Sequence, residues 1–292
     1  MPIGLPERYP STCALPFNRE SLEDEFQLAT PDQEPAEKGV WLLLYKQKVL
    51  TISGENGPEL PTDPSMPKDA DSPYLYIGSW QGRPCRMIFL NEFNADSTDL
   101  TAHSLHAQNP QIPLSIISLA GVGLMIQHWE ESSRFCGYCG KELIRLEKEW
   151  GKRCPNCEQH HFPRIHPCVI GLIVRGDEIL LVRKPEWASG RFGLVAGFVE
   201  FGESLEEAMA REIAEETGIE VDNLRYIGSQ CWPFPSQIMN GFVADYVAGE
   251  FKLQEEELEE AGWYKLTELP TLPPRRSIAR YLIDKAEEFL HR

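Results

Sequence analysis

The apolar positions of this chain divide it into stretches of different texture. From Val40 to Leu50 (VWLLLYKQKVL) and from Tyr74 to Leu90 (YLYIGSWQGRPCRMIFL), β-branched and aromatic runs broken at turn residues predict strands, the second pair joined around Gly82. Between them Ser53 to Pro73 is rich in Gly, Pro, Asp and Ser and reads as a loop. The longest apolar run, Ile112 to Ile126, falls short of the about 20 residues a spanning helix needs, so it reads as a core helix or helix pair. From His166 onward the pattern alternates strand and turn. CVIGLIVRGDEILLVRKP predicts two buried strands around Gly176-Asp177. RFGLVAGFVEFGE predicts a strand entering a tight turn at Gly197 and Gly202. VDNLRYIGSQCW, GFVADYVAGEF and the stretch after EELEEAG predict further strands, and Ser277 to Leu290 a terminal helix. These elements predict an α+β protein in which helices cover a sheet.

One helix stands apart because its polar face is acidic. Leu205, Met209 and Ile213 recur at four-residue spacing and give it an inward side. Ser204 with Glu207 reads as a capping box, and Gly218 stands where helices end in the left-handed conformation. At about 100° per residue Glu212, Glu215 and Glu216 share one part of the circumference. Like charges at that spacing repel by a few tenths of a kcal/mol per pair, and Arg211 offsets only part of this. Hard oxygen ligands gathered on one face suit Mg²⁺ or Mn²⁺.

Composition narrows the setting. The 292 residues suffice for two or three small domains, and 42% hydrophobic with 25% charged residues is ordinary for a globular protein. A net charge of −17 excludes a surface that coats nucleic acid generally. An anionic substrate must then be drawn in by metal ions or by a local basic patch. The Pro-interrupted opening MPIGLPERYPSTCALPF carries no signal-peptide pattern, and the expected compartment is the cytoplasm, with no membrane partner. Of eight cysteines, Cys136, Cys139, Cys154 and Cys157 form two CxxC knuckles 14 residues apart, the spacing of a structural four-thiolate Zn²⁺ site. A disulfide pair in a secreted domain is the rival. The segment around them is mildly basic, with Arg134, Lys141, Arg145, Lys148, Lys152, Arg153 and Arg164. The expected division is a β-rich N-terminal domain over 1–130, a zinc ribbon over 131–165 and an α/β domain over 166–292. His103, His106 and His128 have no ligand-like partners in sequence and read as ordinary histidines.

The order Gly197, five residues, Glu203, seven residues, Arg211-Glu212-Ile213, one residue, Glu215-Glu216, one residue, Gly218-Ile219 matches the Nudix box at every defined position. The chain resembles the Nudix hydrolases, which cleave nucleoside diphosphates linked to another moiety. Downstream lies Ser229-Gln230-Cys231-Trp232-Pro233-Phe234-Pro235-Ser236-Gln237, a stiff segment with aromatic faces suited to a flat base. Together with the four-cysteine ribbon it resembles the NADH pyrophosphatase subfamily, closely from about residue 134 to 283. Cys231 stands where that family's SQPWPFPxS has proline, Gln237 where it has the final serine, and Phe162 where it usually has tyrosine.

The resemblance implies a Nudix α/β/α sandwich with a mixed sheet. It implies Mg²⁺ or Mn²⁺ held by the Ala196 carbonyl, Glu212, Glu216 and Glu257, with Glu215 a further ligand or an aid to water activation and Arg211 part of the catalytic set. Substrate contacts would fall on Phe198, Glu149, Phe162, Gln230 to Gln237 and Ala279. Members are homodimers whose ribbon region helps complete the partner's site. The implied reaction is hydrolysis of NAD(H) to nicotinamide mononucleotide and AMP. The alternatives are ADP-ribose or another nucleoside diphosphate derivative, the NAD cap of RNA, or a non-catalytic nucleotide sensor, which the intact box disfavours.

Overall fold

Two residues set the layering of the C-terminal part. In the computed structural model, which describes residues 3–62 and 73–290, the strands His166–Arg175 and Gln237–Ala248 run parallel, with Ile170 opposite Gly241 and Gly171 opposite Phe242. Successive side chains on a strand face opposite ways, so Gly171 and Gly241 mark opposite faces of one sheet. A Cβ on Gly171 would lie 2.8 Å from Met209 Sδ, and one on Gly241 would lie 2.9 Å from Ile278 Cδ1. Met209 and Ile278 belong to different helices, so the sheet is covered on both sides. This is the expected α/β/α sandwich.

The chain divides into two compact units, each with its own core. One comprises Met1–Leu5, Pro16–Ile165 and Trp232–Ser236; the other comprises Pro6–Leu15, His166–Cys231 and Gln237–Arg292. In the first, β1 (Phe26–Leu28), β2 (Val40–Tyr45), β3 (Lys48–Gly54), β4 (Gly57–Glu59), β5 (Leu75–Trp80), β6 (Arg83–Phe89) and β7 (Thr101–Ser104) form a sheet in the order β1-β5-β6-β2-β3-β4, with β7 on β3. The predicted hairpins are there, and β2 pairs with β6 in parallel. The apolar run at Ile112 is one helix, α1 (Leu114–Ser132), with Ile116, Ile117, Leu119 and Leu124 buried. No described helix is long and apolar enough to cross a membrane. The predicted loop of Ser53 to Pro73 begins within β3 and holds the short β4; its residues 63–72 lie outside the described residues. The ribbon strands β8 (Ile144–Arg145), β9 (Lys152–Arg153) and β10 (His160–His161) form a small antiparallel sheet.

In the second unit β11 (His166–Arg175), β12 (Glu178–Arg183), β13 (Val195–Phe198), β14 (Glu220–Trp232), β15 (Gln237–Ala248) and β16 (Glu260–Lys265) are ordered β14-β15-β11-β12-β16, with β13 on β11. The sheet is mixed: β11 is parallel to β15 and antiparallel to β12 and β13. Helix α2 (Leu205–Thr217) covers one face through Ala208, Met209 and Ile213, which pack with Val169, Ile173 and Phe242. On the other face lies α3 (Ile278–Asp284). The expected terminal helix continues as a separate turn, α4 (Glu287–Leu290). The break falls where Ala286 is fully buried and its N–H bonds the Ile283 carbonyl at 3.1 Å, tightening the ladder from i−4 to i−3.

Candidate functional site

The acidic helix is positioned by its ends, as its sequence predicts. Glu207 N donates to Ser204 Oγ at 3.2 Å and Ser204 N donates to the Glu207 carboxylate at 2.8 Å, completing the capping box. At the other end Gly218 has φ +75° and its N–H bonds the Ala214 carbonyl at 2.9 Å.

Between those ends the three glutamates are inequivalent. Glu215 is exposed, Glu212 is half-buried and Glu216 is 3% exposed. Arg211 organises the outer part. It reaches Glu203 Oε1 at 2.5 Å and Oε2 at 2.9 Å, Glu212 and Glu215 at 3.0 Å each, and the Phe198 carbonyl at 2.9 Å. One guanidinium thus ties the glycine-turn strand to the helix, and this charge-assisted bonding holds the Glu203 carboxyl down at about 2. Glu212 lies flat against β13. A Cβ on Gly197 would sit 2.0 Å from its Cδ, so only glycine admits this approach beside Ala196. Burial raises the Glu212 carboxyl, partly opposed by Arg211.

Glu216 is the inner group. Its Oε2 is buried without a hydrogen-bond partner among the described residues, and burial pushes its carboxyl up to about 7. The chain after β15 returns to it: Lys252 N bonds the Thr217 carbonyl at 2.9 Å and Gln254 N the Glu216 carbonyl at 3.1 Å. That brings Glu257 near. Lys184, just past β12, places its Nζ 3.1 Å from Glu257 and 3.8 Å from Glu216. Nothing in the sequence patterns singled out Lys184; its position follows only from the register of β12 and the return of the 252–258 loop. An orphaned, buried carboxylate oxygen among further carboxylates fits a hard divalent cation. The glutamate oxygens do not yet converge, since among the described residues the four cysteines alone bring three or more such ligand atoms within 4.8 Å of one another.

That cysteine cluster has the geometry of a metal site. Sγ–Sγ distances are 3.4 Å for Cys139–Cys154, 3.6 Å for Cys136–Cys157 and 3.7 Å for Cys139–Cys157. Tetrahedral thiolates at about 2.3 Å from Zn²⁺ lie roughly 3.8 Å apart, whereas a disulfide needs about 2.05 Å. The four residues therefore suit a structural Zn²⁺, and all are free thiols rather than bridged. Much of the ribbon's basic character is used internally. Arg145 and Lys152 pair with Glu130, and Arg153 pairs with Glu158.

The expected substrate segment is split between the units. Trp232–Ser236 clusters with the first unit, where Trp232 and Phe234 pack edge-on, centroids 5.3 Å apart, and both meet Phe17. Pro233 is buried and Pro235 exposed, and the peptide between Phe234 and Pro235 is cis. Glu149 and Phe162 are exposed on the ribbon. In the second unit Phe198 is exposed and Ala279 is buried on α3. Gln230 is fully buried, its amide donating to the Arg276 carbonyl at 2.8 Å and accepting from Ile278 N at 2.7 Å, so it anchors the start of α3. Ser236 is buried, burial pushes the Cys231 thiol up to about 11, and Gln237 pairs with His166 in the parallel register.

The α/β/α sandwich carries a glutamate helix behind a glycine turn, and the same chain carries a four-cysteine ribbon, the build of a modular metal-binding α+β protein. Comparison with known proteins agrees part by part. Residues 164–286 match the NUDIX domain and 131–162 the NADH pyrophosphatase zinc ribbon domain. The protein named NAD-capped RNA hydrolase NudC of Pseudomonas aeruginosa is 40% identical over 270 residues, covering 90% of this chain and 94% of that one. Its namesake in Escherichia coli O81 is 38% identical over 254 residues, covering 86% and 94%. A NUDIX hydrolase crystal structure from Nitrosomonas europaea aligns with TM-score 0.46 and 24% identity, over 53% of this chain and 93% of its own. The chain belongs to the Nudix hydrolases, in the family that carries the NADH pyrophosphatase zinc ribbon.

Proposed function

We propose that this enzyme hydrolyses the pyrophosphate of NAD(H), releasing nicotinamide mononucleotide and AMP. The observation that carries the reading is Glu216, a buried carboxylate with an oxygen left unsatisfied on the face of the box helix. In this reading the Ala196 carbonyl, Glu212, Glu216 and Glu257 would hold Mg²⁺ or Mn²⁺, which would supply charge against that of the pyrophosphate and acidify water for the attack. Arg211 keeps the Phe198 carbonyl, Glu203, Glu212 and Glu215 in one rigid frame. Glu215, the exposed member, is open to take a proton from the attacking water. By the resemblance, the dinucleotide contacts fall on Phe198 and Ala279 of the second unit and on Trp232–Ser236 of the first. Glu149 and Phe162, exposed on the ribbon, serve the second subunit of a homodimer. The chain works in the cytoplasm and divides into parts over 1–130, 131–165 and 166–292.

A second substrate is favoured by the names of the relatives, which are NAD-capped RNA hydrolases. The same bond would be cut in an NAD cap on RNA. Parallel rates on NADH, NAD⁺, ADP-ribose and NAD-capped RNA, with products identified by mass, test both readings. Nicotinamide mononucleotide should appear from the dinucleotides. Equal or faster turnover of ADP-ribose would sink the dinucleotide reading.

A further inference from the structure

Two of the histidines that sequence left without a role, His106 and His128, lie on one cleft of the first unit. They line a cleft of about 600 Å³ together with Lys46, Lys48, Pro233 and Pro235, a volume within the about 300–1,000 Å³ of small-ligand sites. Lys46 and Lys48 flank the tight turn between β2 and β3 and are exposed. Phe89 and Leu124 give the cleft apolar surface. The His106 ring lies 4.3 Å from the Phe234 ring, tilted by 39°.

Charge and shape point to the same occupant. In a chain of net charge −17, the lining holds two lysines and two histidines against one carboxylate, Glu131, which already accepts a hydrogen bond from Gln127 at 2.8 Å. Cations for phosphates beside flat ring and proline faces are the composition of surfaces that hold single-stranded nucleic acid. One of those faces, the exposed Pro235, belongs to the Trp232–Ser236 segment, the stretch already assigned to the substrate.

We propose that this cleft binds the single-stranded RNA chain of an NAD-capped substrate, with Lys46 and Lys48 pairing with its phosphates and the exposed Pro235 face supporting a base. The proposal rests on the capped-RNA reading above and gives the RNA body of that substrate a site within the first unit.

The test uses the full chain with Lys46→Glu/Lys48→Glu, and Lys46→Arg/Lys48→Arg as the conservative control. Turnover is measured on NADH and on NAD-capped RNA. Binding of an uncapped RNA of about 12 nucleotides is followed by fluorescence anisotropy across salt concentrations. Charge reversal should lower kcat/KM on capped RNA roughly tenfold or more while NADH stays within about twofold. The slope of log affinity against log salt should fall by about 1.4, the value for two single-strand phosphate contacts. The arginine variant should retain wild-type behaviour. Unchanged RNA binding and capped-RNA turnover in the glutamate variant overturn the cleft assignment, as does an equal loss on NADH. A wild-type enzyme that binds uncapped RNA with this lysine dependence but leaves capped RNA uncut overturns the substrate reading and leaves the cleft standing.

Discussion

Lys184 stands between Glu257, 3.1 Å away, and Glu216, 3.8 Å away, as the counter-cation of the inner carboxylates. An ammonium there offsets the charge that a divalent ion would otherwise neutralise, so the two cations compete. Lys184→Met should tighten Mn²⁺ binding roughly five- to tenfold, about 1–1.4 kcal/mol of competition removed. It should also lower the melting temperature of the ion-free protein, because Glu216 loses its partner. Calorimetric titration with Mn²⁺ and thermal melts report the two effects separately. Weaker binding in the variant would show that Lys184 assists the ion.

Glu216→Gln keeps the shape of the buried group and removes its charge. Turnover should fall by at least roughly 10²-fold, the scale of losing one fixed electrostatic contact to the transition state. Zinc content should stay close to wild type, and the melting temperature should match wild type near pH 5, where burial keeps the carboxyl neutral. A variant that retained most of its rate with Mg²⁺ or Mn²⁺ would refute the assignment of Glu216 as a ligand.

The same carboxyl predicts a pH dependence of stability. Its value rises from 4.5 to about 7 on folding, so between those limits the native state holds more proton than the unfolded chain. Stability then falls as pH rises through that window, by at most about 1.4 kcal/mol per unit from this group. Urea titrations from pH 5 to 7.5, with zinc present and no Mg²⁺ or Mn²⁺, should show wild type losing stability relative to Glu216→Gln. A constant difference between the two would contradict the burial argument.

Gly197→Ala tests the approach of Glu212 to β13. The added methyl would sit 2.0 Å from the Glu212 carboxyl carbon, so that side chain must move while the backbone remains accessible to alanine. Steady-state kinetics should show a large fall in kcat with little change in melting temperature. Retention of full activity would mean Glu212 acts from a different rotamer.

Cys154 is fully buried at the ribbon's centre. Cys154→Ser should release zinc and lower the first melting transition, because a closed thiolate site contributes directly to folding. Zinc content by atomic absorption and near-ultraviolet dichroism check this.

What the sequence displayed and what it withheld follow from the range of the interactions. The capping box at Ser204, the end at Gly218 and the knuckles at Cys136 and Cys154 are local, and each depends on residues a few positions apart. The inequality of Glu215 and Glu216 is not local. It arises because the 252–258 loop and Lys184 close over one side of the helix and leave the other in solvent. Gln230 shows the same limit. Its place beside a recognition segment suggested substrate contact, but the structure gives both ends of its amide to the start of α3, 46 and 48 residues away. His106 and His128 lacked partners in sequence because the cleft they share is built from β3, β7, α1 and a loop more than 100 residues downstream.

The short segment Pro6–Leu15 belongs to the unit that otherwise begins at His166, while Trp232–Ser236 belongs to the other. Leu15 is fully buried there, and Thr12 fills the space above Gly228, where a Cβ would lie 2.0 Å from its hydroxyl. An expression fragment begun at the boundary the motifs suggest would therefore lack a piece of its own interior. Supplying residues 6–15 in trans, or fusing them ahead of His166, is the natural way to make the hydrolase half a molecule in its own right.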